Sequence, residues 1–335
     1  MKTIFLNTLI CWLIVMSLVS CNMSSSRNKL PPAQGRAGEV LIVMNDYYWK
    51  NACGDSIRRY LTEPVRGLPA PEPMFTLSQK DALIHFLQKM RNVLIINIDT
   101  GYEGVKLGYK TDVYAQGQLI FNLDASSPDS AIAGIRRNKD LIIAAFLAKD
   151  RDATIADYKK NMEKTMIEQL REKFQVDIVI PKSYSIDVEK DDFVWIVREE
   201  GERNWYILMW KDSYFRTSQL ETDSLIFKMN AMTRKYVPGP TPGSYMADEP
   251  MVIPTVKRFE KDGIYCVQIN GLWQTENSYM GGPYVNHTIV DVKRGQIVTG
   301  IGFVFYPNRD KRNMVRQLES ILYTMQPVTE LSSVD

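Results

Sequence analysis

Histidine is nearly missing from these 335 residues: only His85 and His287 occur. Two isolated imidazoles supply no HExxH and no paired spacing, which excludes a zincin-type metal centre. Cys11, Cys21, Cys53 and Cys266 are the only cysteines and contain no CxxC, which removes zinc ribbons and dithiol redox motifs. Charge of one sign is also lacking. The 41 basic residues face 39 acidic ones, a net charge of +2, so there is no overall electrostatic pull toward nucleic acid. Gly101-Tyr102-Glu103-Gly104 and Gly281-Gly282 form neither a phosphate-binding loop nor a dinucleotide fingerprint, and no Gly-x-Ser-x-Gly elbow occurs. No metal and no cofactor are expected. Glycoside hydrolysis needs only two carboxylates at a suitable separation, and among 39 acidic residues no pair stands out.

What is present begins at the N-terminus. Lys2 precedes a stretch, Leu9 to Val19, that is almost wholly apolar, and small Ser20 precedes Cys21. A run this short with a basic start reads as a secretory leader, because a lasting span needs about 20 apolar residues. Leu18-Val19-Ser20-Cys21 resembles the lipobox of bacterial lipoproteins. That resemblance implies cleavage before Cys21, acylation of its thiol, and attachment to a membrane through lipid. Asn22, rather than Asp, follows the cysteine, which by the same resemblance favours the outer over the inner membrane. Ser24, Ser25, Ser26, Arg27 and Lys29 stand where surface-displayed lipoproteins carry acidic residues, which favours the periplasmic face. Residues 22–37 read as a flexible tether.

Only Lys2 among the charged residues leaves with residues 1–21, so the mature body stays close to neutral. The full chain's hydrophobic content of 45% is that of a globular protein, and the length of the mature body suits two domains. Cys53 and Cys266 are the thiols left for redox chemistry. The envelope permits a disulfide between them, and Ile264-Tyr265-Cys266-Val267 accommodates a buried free thiol equally well.

Residues 38–175 alternate strands and helices, an α/β pattern. Glu39–Met44 and Asn92–Ile98 are short apolar runs of the kind covered on both faces. A helix through Ile57, Tyr60 and Leu61 stops before Pro64. Pro69, Pro71 and Pro73 make a stiff linker. Thr76 to Met90 is expected to be helical in its latter part, with His85 beside the face formed by Leu83, Phe86, Leu87 and Met90. Val113 to Leu123 is a further strand candidate, and Ser127 or Asp129 is placed to cap a helix. Ile155, Tyr158, Met162, Met166, Leu170 and Phe174 recur every three or four residues, which predicts one long helix from Ala153 to Phe174.

Residues 176–326 read as an antiparallel sheet with two helices packed on it, an α+β unit, and 327–335 as a tail. Strands are expected at Val176–Ile180, Phe193–Arg198, Trp205–Trp210, Pro250–Arg258, Ile264–Asn270, Tyr284–Val292 and Gln296–Phe305, with a tight hairpin at Lys293-Arg294-Gly295. His287 falls in one of them, flanked by Asn286 and Thr288. The helices are expected at Thr222–Tyr236 and Asp310–Met325.

Two segments stand out as candidate binding loops: Val237 to Met246, rich in Pro and Gly, and Gly271 to Tyr284. Trp273, Tyr279, Tyr284 and Tyr245 offer flat faces with polar tips, and Gly281 and Gly282 permit close approach. Such surfaces suit sugar rings or protein partners, and the same residues also serve as turns whose aromatics cover a sheet. Tyr47, Tyr48 and Trp49 allow the same two readings.

These segments carry a second resemblance. Val237-Pro238-Gly239-Pro240 with Gly243-Ser244-Tyr245-Met246, Gly271-Leu272-Trp273, Met280-Gly281-Gly282-Pro283-Tyr284, Tyr306-Pro307 with Lys311-Arg312, and Phe193-Val194-Trp195-Ile196 resemble an uncharacterised family of Bacteroidetes envelope lipoproteins, defined only as a domain of unknown function. The resemblance implies an envelope location and no activity. The expectation is therefore a membrane-anchored periplasmic lipoprotein that binds an envelope protein or glycan, without enzymatic activity or nucleic acid. The alternative is an envelope hydrolase that uses carboxylates on glycan or peptide.

Overall fold

Apolar runs that bury both faces set the first half. The computed structural model describes residues 30–329, so Cys21 and the leader lie outside the described residues. Strands β1 (Glu39–Val43), β2 (Thr76–Lys80), β3 (Asn92–Ile98), β4 (Val105–Thr111) and β5 (Leu119–Ala125) form one sheet in the order β2-β1-β3-β5-β4. All pairings are parallel except that of β4 with β5. On one face Val40, Ile42, Leu94, Phe121 and Leu123 meet helices α1 (Asp46–Trp49), α2 (Ala52–Leu61) and α3 (Pro128–Tyr158) through residues such as Ile57, Leu61, Ile135 and Phe146. The other face buries Leu41, Val43, Val93 and Ile120 under Leu83, Leu87 and Met90. Ser127 starts α3: its hydroxyl accepts from Ser130 N (3.2 Å), Ser130 Oγ accepts from Ser127 N (3.0 Å), and Pro128 takes the first turn.

Three expectations for this half change. Thr76–Lys80 pairs with β1 as a strand, and only a 3-10 turn, His85–Leu87, follows it. Leu83, Leu87 and Met90 do share a face, but as a covering loop. Residues 31–36, expected within the tether, are held to the domain. Ala33 N donates to Gln116 O (2.9 Å), Gln34 N to Lys89 O (2.7 Å), and Arg91 N to Gln34 O (2.8 Å). The helix predicted from Ala153 to Phe174 is broken: α3 ends at Tyr158 and α4 spans Lys164–Phe174. Glu163 N donates to Ile180 O (2.8 Å) and Lys182 N to Asn161 O (3.0 Å), so a neighbouring segment takes the backbone partners a continuous helix would have used.

The second half is an antiparallel sheet with helices on both faces. After β6 (Val176–Asp177) come β7 (Ser185–Lys190), β8 (Phe193–Glu200), β9 (Arg203–Ser213), helix α5 (Thr222–Tyr236), β10 (Tyr245–Asp248), β11 (Thr255–Lys261), β12 (Ile264–Glu276), β13 (Gly281–Asp291), β14 (Gln296–Phe305), helix α6 (Arg312–Tyr323) and β15 (Gln326–Pro327). The order is β10-β12-β13-β14-β9-β8-β7, with β11 also on β12, while β6 and β15 form a separate two-stranded sheet. Leu318 and Leu322 of α6 and Met166, Leu170 and Phe174 of α4 bury one face with Ile196, Ile207, Val285 and Val298. Leu225, Met229 and Met232 of α5 bury the other with Leu208, Trp210, Tyr284 and Phe303. Gly302 lets α6 lie close, since a Cβ there would stand 2.7 Å from Leu318 Cβ. The chain is thus α/β followed by α+β, as its patterning predicts.

The halves meet through α6. The proline run presents buried Glu72, whose carboxylate accepts from Lys311 N (2.7 Å) and Arg312 N (2.8 Å) and so caps α6 from the other half. Arg316 Nη2 donates to Met74 O at 2.7 Å, and its guanidinium lies 5.6 Å from the Phe75 ring centre. Among the described residues no helix is long and apolar enough to cross a membrane.

Candidate functional site

The loops singled out by sequence do not assemble into an aromatic face. Trp273 and Tyr284 are buried. Strand β10 pairs along β12 with Tyr245 opposite Glu276 and Asp248 opposite Trp273, and α5 closes over that end of the sheet. Tyr284 Oη donates to Asp248 Oδ1 at 2.6 Å, and Asp248 N donates to Asn230 Oδ1 at 2.8 Å, tying β13, β10 and α5 together. Burial raises the pKa of both Tyr284 and Asp248. Gly282 is a packing position, with a Cβ there falling 2.4 Å from Val304 O. Tyr279 stands fully exposed beside exposed Gly281 at the hairpin tip, while half-buried Tyr245 carries the Arg234 guanidinium 5.1 Å from its ring centre. Two of the four aromatic rings are therefore core, and only Tyr279 is fully open.

Cys53 and Cys266 are free and buried, in the cores of different halves, so they do not pair. Burial pushes the Cys53 thiol up to about 11. His85 is exposed in its 3-10 turn. His287 is buried, and burial drives its pKa down to about 3. Near the first strand, Tyr47 is exposed and Trp49 is covered by the Arg58 guanidinium at 4.3 Å. Among the described residues no three His, Cys, Asp or Glu side chains gather as a metal site.

A cleft does open on the α5 face, at the end of the helix away from Trp273. Its volume is about 800 Å³, and Trp210, Leu225, Ile297 and Thr299 line its floor. Phe215 and Phe227 flank it with relative exposures of 84% and 77%. Phe215 does not hang on a frayed loop: Gln219 Oε1 accepts from Phe215 N (2.7 Å) and Arg216 N (3.0 Å), and its Nε2 donates to Ser213 O (2.9 Å). Lys228 and Asp212 pair at 2.5 Å on the rim. Beneath, Thr299 and Thr288 hydroxyls lie 3.1 Å apart and Thr288 Oγ1 donates to Asn286 Oδ1 at 2.9 Å. The indole N–H of Trp210 and the Asn286 amide nitrogen are buried without partners.

Sequence reasoning missed this site. Phe227 was the available signal, since it falls off the Leu225, Met229, Met232 stripe of its helix. The cleft joins its mainly apolar floor to a polar rim that includes Asp212, Arg216, Gln219, Asp223 and Lys228, and exposed rings on that rim are suited to gripping an apolar or aromatic group of a polar partner.

Residues 33–159 match the family described as "Domain of unknown function (DUF8532)", and residues 163–324 match "Domain of unknown function (DUF4837)". The chain thus carries two domains of unknown function, and the gap between them falls in the break between α3 and α4. No curated protein matches the chain. Among solved structures, the human StarD13 (DLC2) lipid transfer and protein localization domain aligns with 10% identity over 49% of this chain and 96% of its own, at a TM-score of 0.23. A protein from Bacteroides thetaiotaomicron VPI-5482 aligns with 11% identity over 47% of this chain and 46% of its own, at a TM-score of 0.20. Similarity this low transfers neither a fold nor a function.

Proposed function

We propose that this protein is a lipid-anchored lipoprotein of the Bacteroidetes envelope, facing the periplasm from the outer membrane. In this reading it is a non-enzymatic binding or assembly module that grips an envelope protein partner in the α5 cleft. The pinned, exposed pair Phe215 and Phe227 beside an apolar floor carries this reading. Such rings are large rigid contacts with few rotamers to immobilise, as binding surfaces favour. Anchoring at Cys21 would hold the cleft near other envelope components.

Affinity capture from detergent-solubilised envelopes tests the cleft. Phe215→Ala combined with Phe227→Ala is expected to lose the partner retained by the wild type. Its stability should stay within about 0.5 kcal/mol, as for other exposed substitutions. Equal recovery of the same partner by the folded double variant would remove the cleft from the reading. The anchor has its own expected result: Cys21→Ser moves the protein from the membrane to the soluble fraction and abolishes labelling by a fatty-acid probe. Persistent labelling would place the lipid elsewhere.

A further inference from the structure

A second concavity, of about 350 Å³, lies between the two halves and has a different chemistry. Arg66 and Arg151 line it from the first half, and Lys257, Arg312 and Arg316 from the second. Three carboxylates also line it, and each is engaged. Asp150 accepts from Gly38 N (2.7 Å), Arg91 Nη1 (3.0 Å) and Asn92 Nδ2 (3.1 Å). Glu319 accepts from Asn270 Nδ2 (2.6 Å) and Gln268 Nε2 (3.2 Å), and Glu63 faces Lys139 at 3.5 Å.

The cations are under-served. Arg66 and Lys257 are exposed and have no ion-pair partner among the described residues. Arg151 stacks its guanidinium 3.6 Å from the Tyr323 ring centre, its nearest carboxylate, Asp152, is 3.9 Å away, and its Nε is buried without a hydrogen bond. Arg316 spends Nη2 on Met74 O, while its Nη1 is buried and unpartnered. Burial and the neighbouring Arg312 push Arg316 down to about 10, so it remains charged at neutral pH in a setting that disfavours the charge.

We infer that this interdomain cleft binds an oxyanion, a phosphate or carboxylate group, which bridges the two halves through Arg151 and Arg316. Guanidinium forks match the planar or tetrahedral oxygens of such groups, and neither guanidinium has a carboxylate closer than 3.9 Å among the described residues. Clefts between domains are favoured places for small ligands. Leu68, Leu147 and Val315 on its walls would leave room for an apolar body attached to the anion. The inference is independent of the α5 cleft, which lies on the opposite face of the second sheet.

Calorimetric titration of the full chain with inorganic phosphate, octanoate and short-chain phosphatidylglycerol tests it. At least one probe is expected to bind and to weaken as salt is raised. Phosphate binding as tightly as the two amphiphiles would assign a free oxyanion. Tighter binding of octanoate or phosphatidylglycerol would assign an anionic headgroup on an apolar body. Charge reversal at the two exposed cations, Arg66→Glu with Lys257→Glu, should weaken that probe by about tenfold or more, since like charge now faces it. Both residues are exposed, so the variant is expected to fold, and its melting curve checks this. The inference is overturned if none of the three probes binds the wild type, or if the folded reversal variant binds with unchanged affinity.

Discussion

Asp150→Ala is expected to lower the stability of this protein by about 3–5 kcal/mol, the range for removing one partner of a buried ion pair. Asp150 is 4% exposed and ends three donors' search at once: Gly38 N at the start of β1, Asn92 Nδ2 at the start of β3, and Arg91 Nη1, itself only 15% exposed. Alanine leaves a cation and two polar donors in a site that water barely reaches, so the penalty is the uncompensated groups more than the lost contact. Asp150→Asn keeps an acceptor and should cost less. Adding Arg91→Ala to Asp150→Ala should recover part of the loss, because the two residues are coupled. Urea denaturation of the wild type, the three single variants (Asp150→Ala, Asp150→Asn and Arg91→Ala) and the double variant measures this directly. Additive costs, with no recovery in the double variant, would show that the pair is not the source.

The second large effect is one of pH. His287 lies on the α6 face of the second sheet, 6.0 Å from the Phe259 ring centre and 6.5 Å from that of Tyr323, with Nε2 unpartnered. Burial, helped by nearby Lys261, lowers its pKa from 6.5 to about 3. Lys261 Nζ itself donates to the carbonyls of Tyr323 (2.5 Å) and Met325 (3.0 Å) at the end of α6, and the neighbouring Cys266 thiol is raised by burial. The folded protein therefore keeps a neutral imidazole where the unfolded chain takes up a proton. Stability from this group is full above pH 6.5 and is lost as pH falls toward the folded value. In that window one proton bound on unfolding corresponds to about 1.4 kcal/mol per pH unit. Carboxylates titrate at lower pH in any variant, so the informative quantity is the difference between wild type and His287→Leu. The wild type is expected to lose stability more steeply between about pH 6.5 and pH 5, by up to that slope. Parallel profiles would mean that the imidazole is protonated or well partnered in the folded state.

Local signals carried much of the fold. The helix predicted at Thr222–Tyr236 and the strand at Gln296–Phe305 occur with those bounds, because a stripe or run flanked by a cap, a proline or a turn glycine is complete within its own window. Ser127, one of two proposed caps, serves as the cap. The break at residues 159–163 was invisible for a related reason. The apolar spacing continues across it, and only the pairing with residues 180–182 cancels the helix. Thr76–Met90 failed likewise, since a covering loop needs apolar residues as much as a helix face does.

The candidate site was harder to read than the fold. Glycine beside aromatic residues looks the same in an open binding loop and in a turn closed by a neighbouring strand. Trp273 and Tyr284 are covered because β10 returns to pair with β12 and α5 lies above them, and neither event is encoded near those residues. Phe215 and Phe227 become a pair only when a turn after β9 folds against the first turns of α5.

The sequence by itself determined the α/β then α+β division, the helix at Thr222–Tyr236 and the strand at Gln296–Phe305, each written in contiguous residues. Tertiary structure alone decided that Cys53 and Cys266 stay apart, that Glu72 caps a helix 239 positions away, and that Asp150 closes a donor cluster drawn from two strands. It also decided where the two clefts open. The physical reason is one of range: propensity, capping and periodicity act over a few residues, whereas burial, pairing of charges and concave surfaces arise only when distant segments exclude water together.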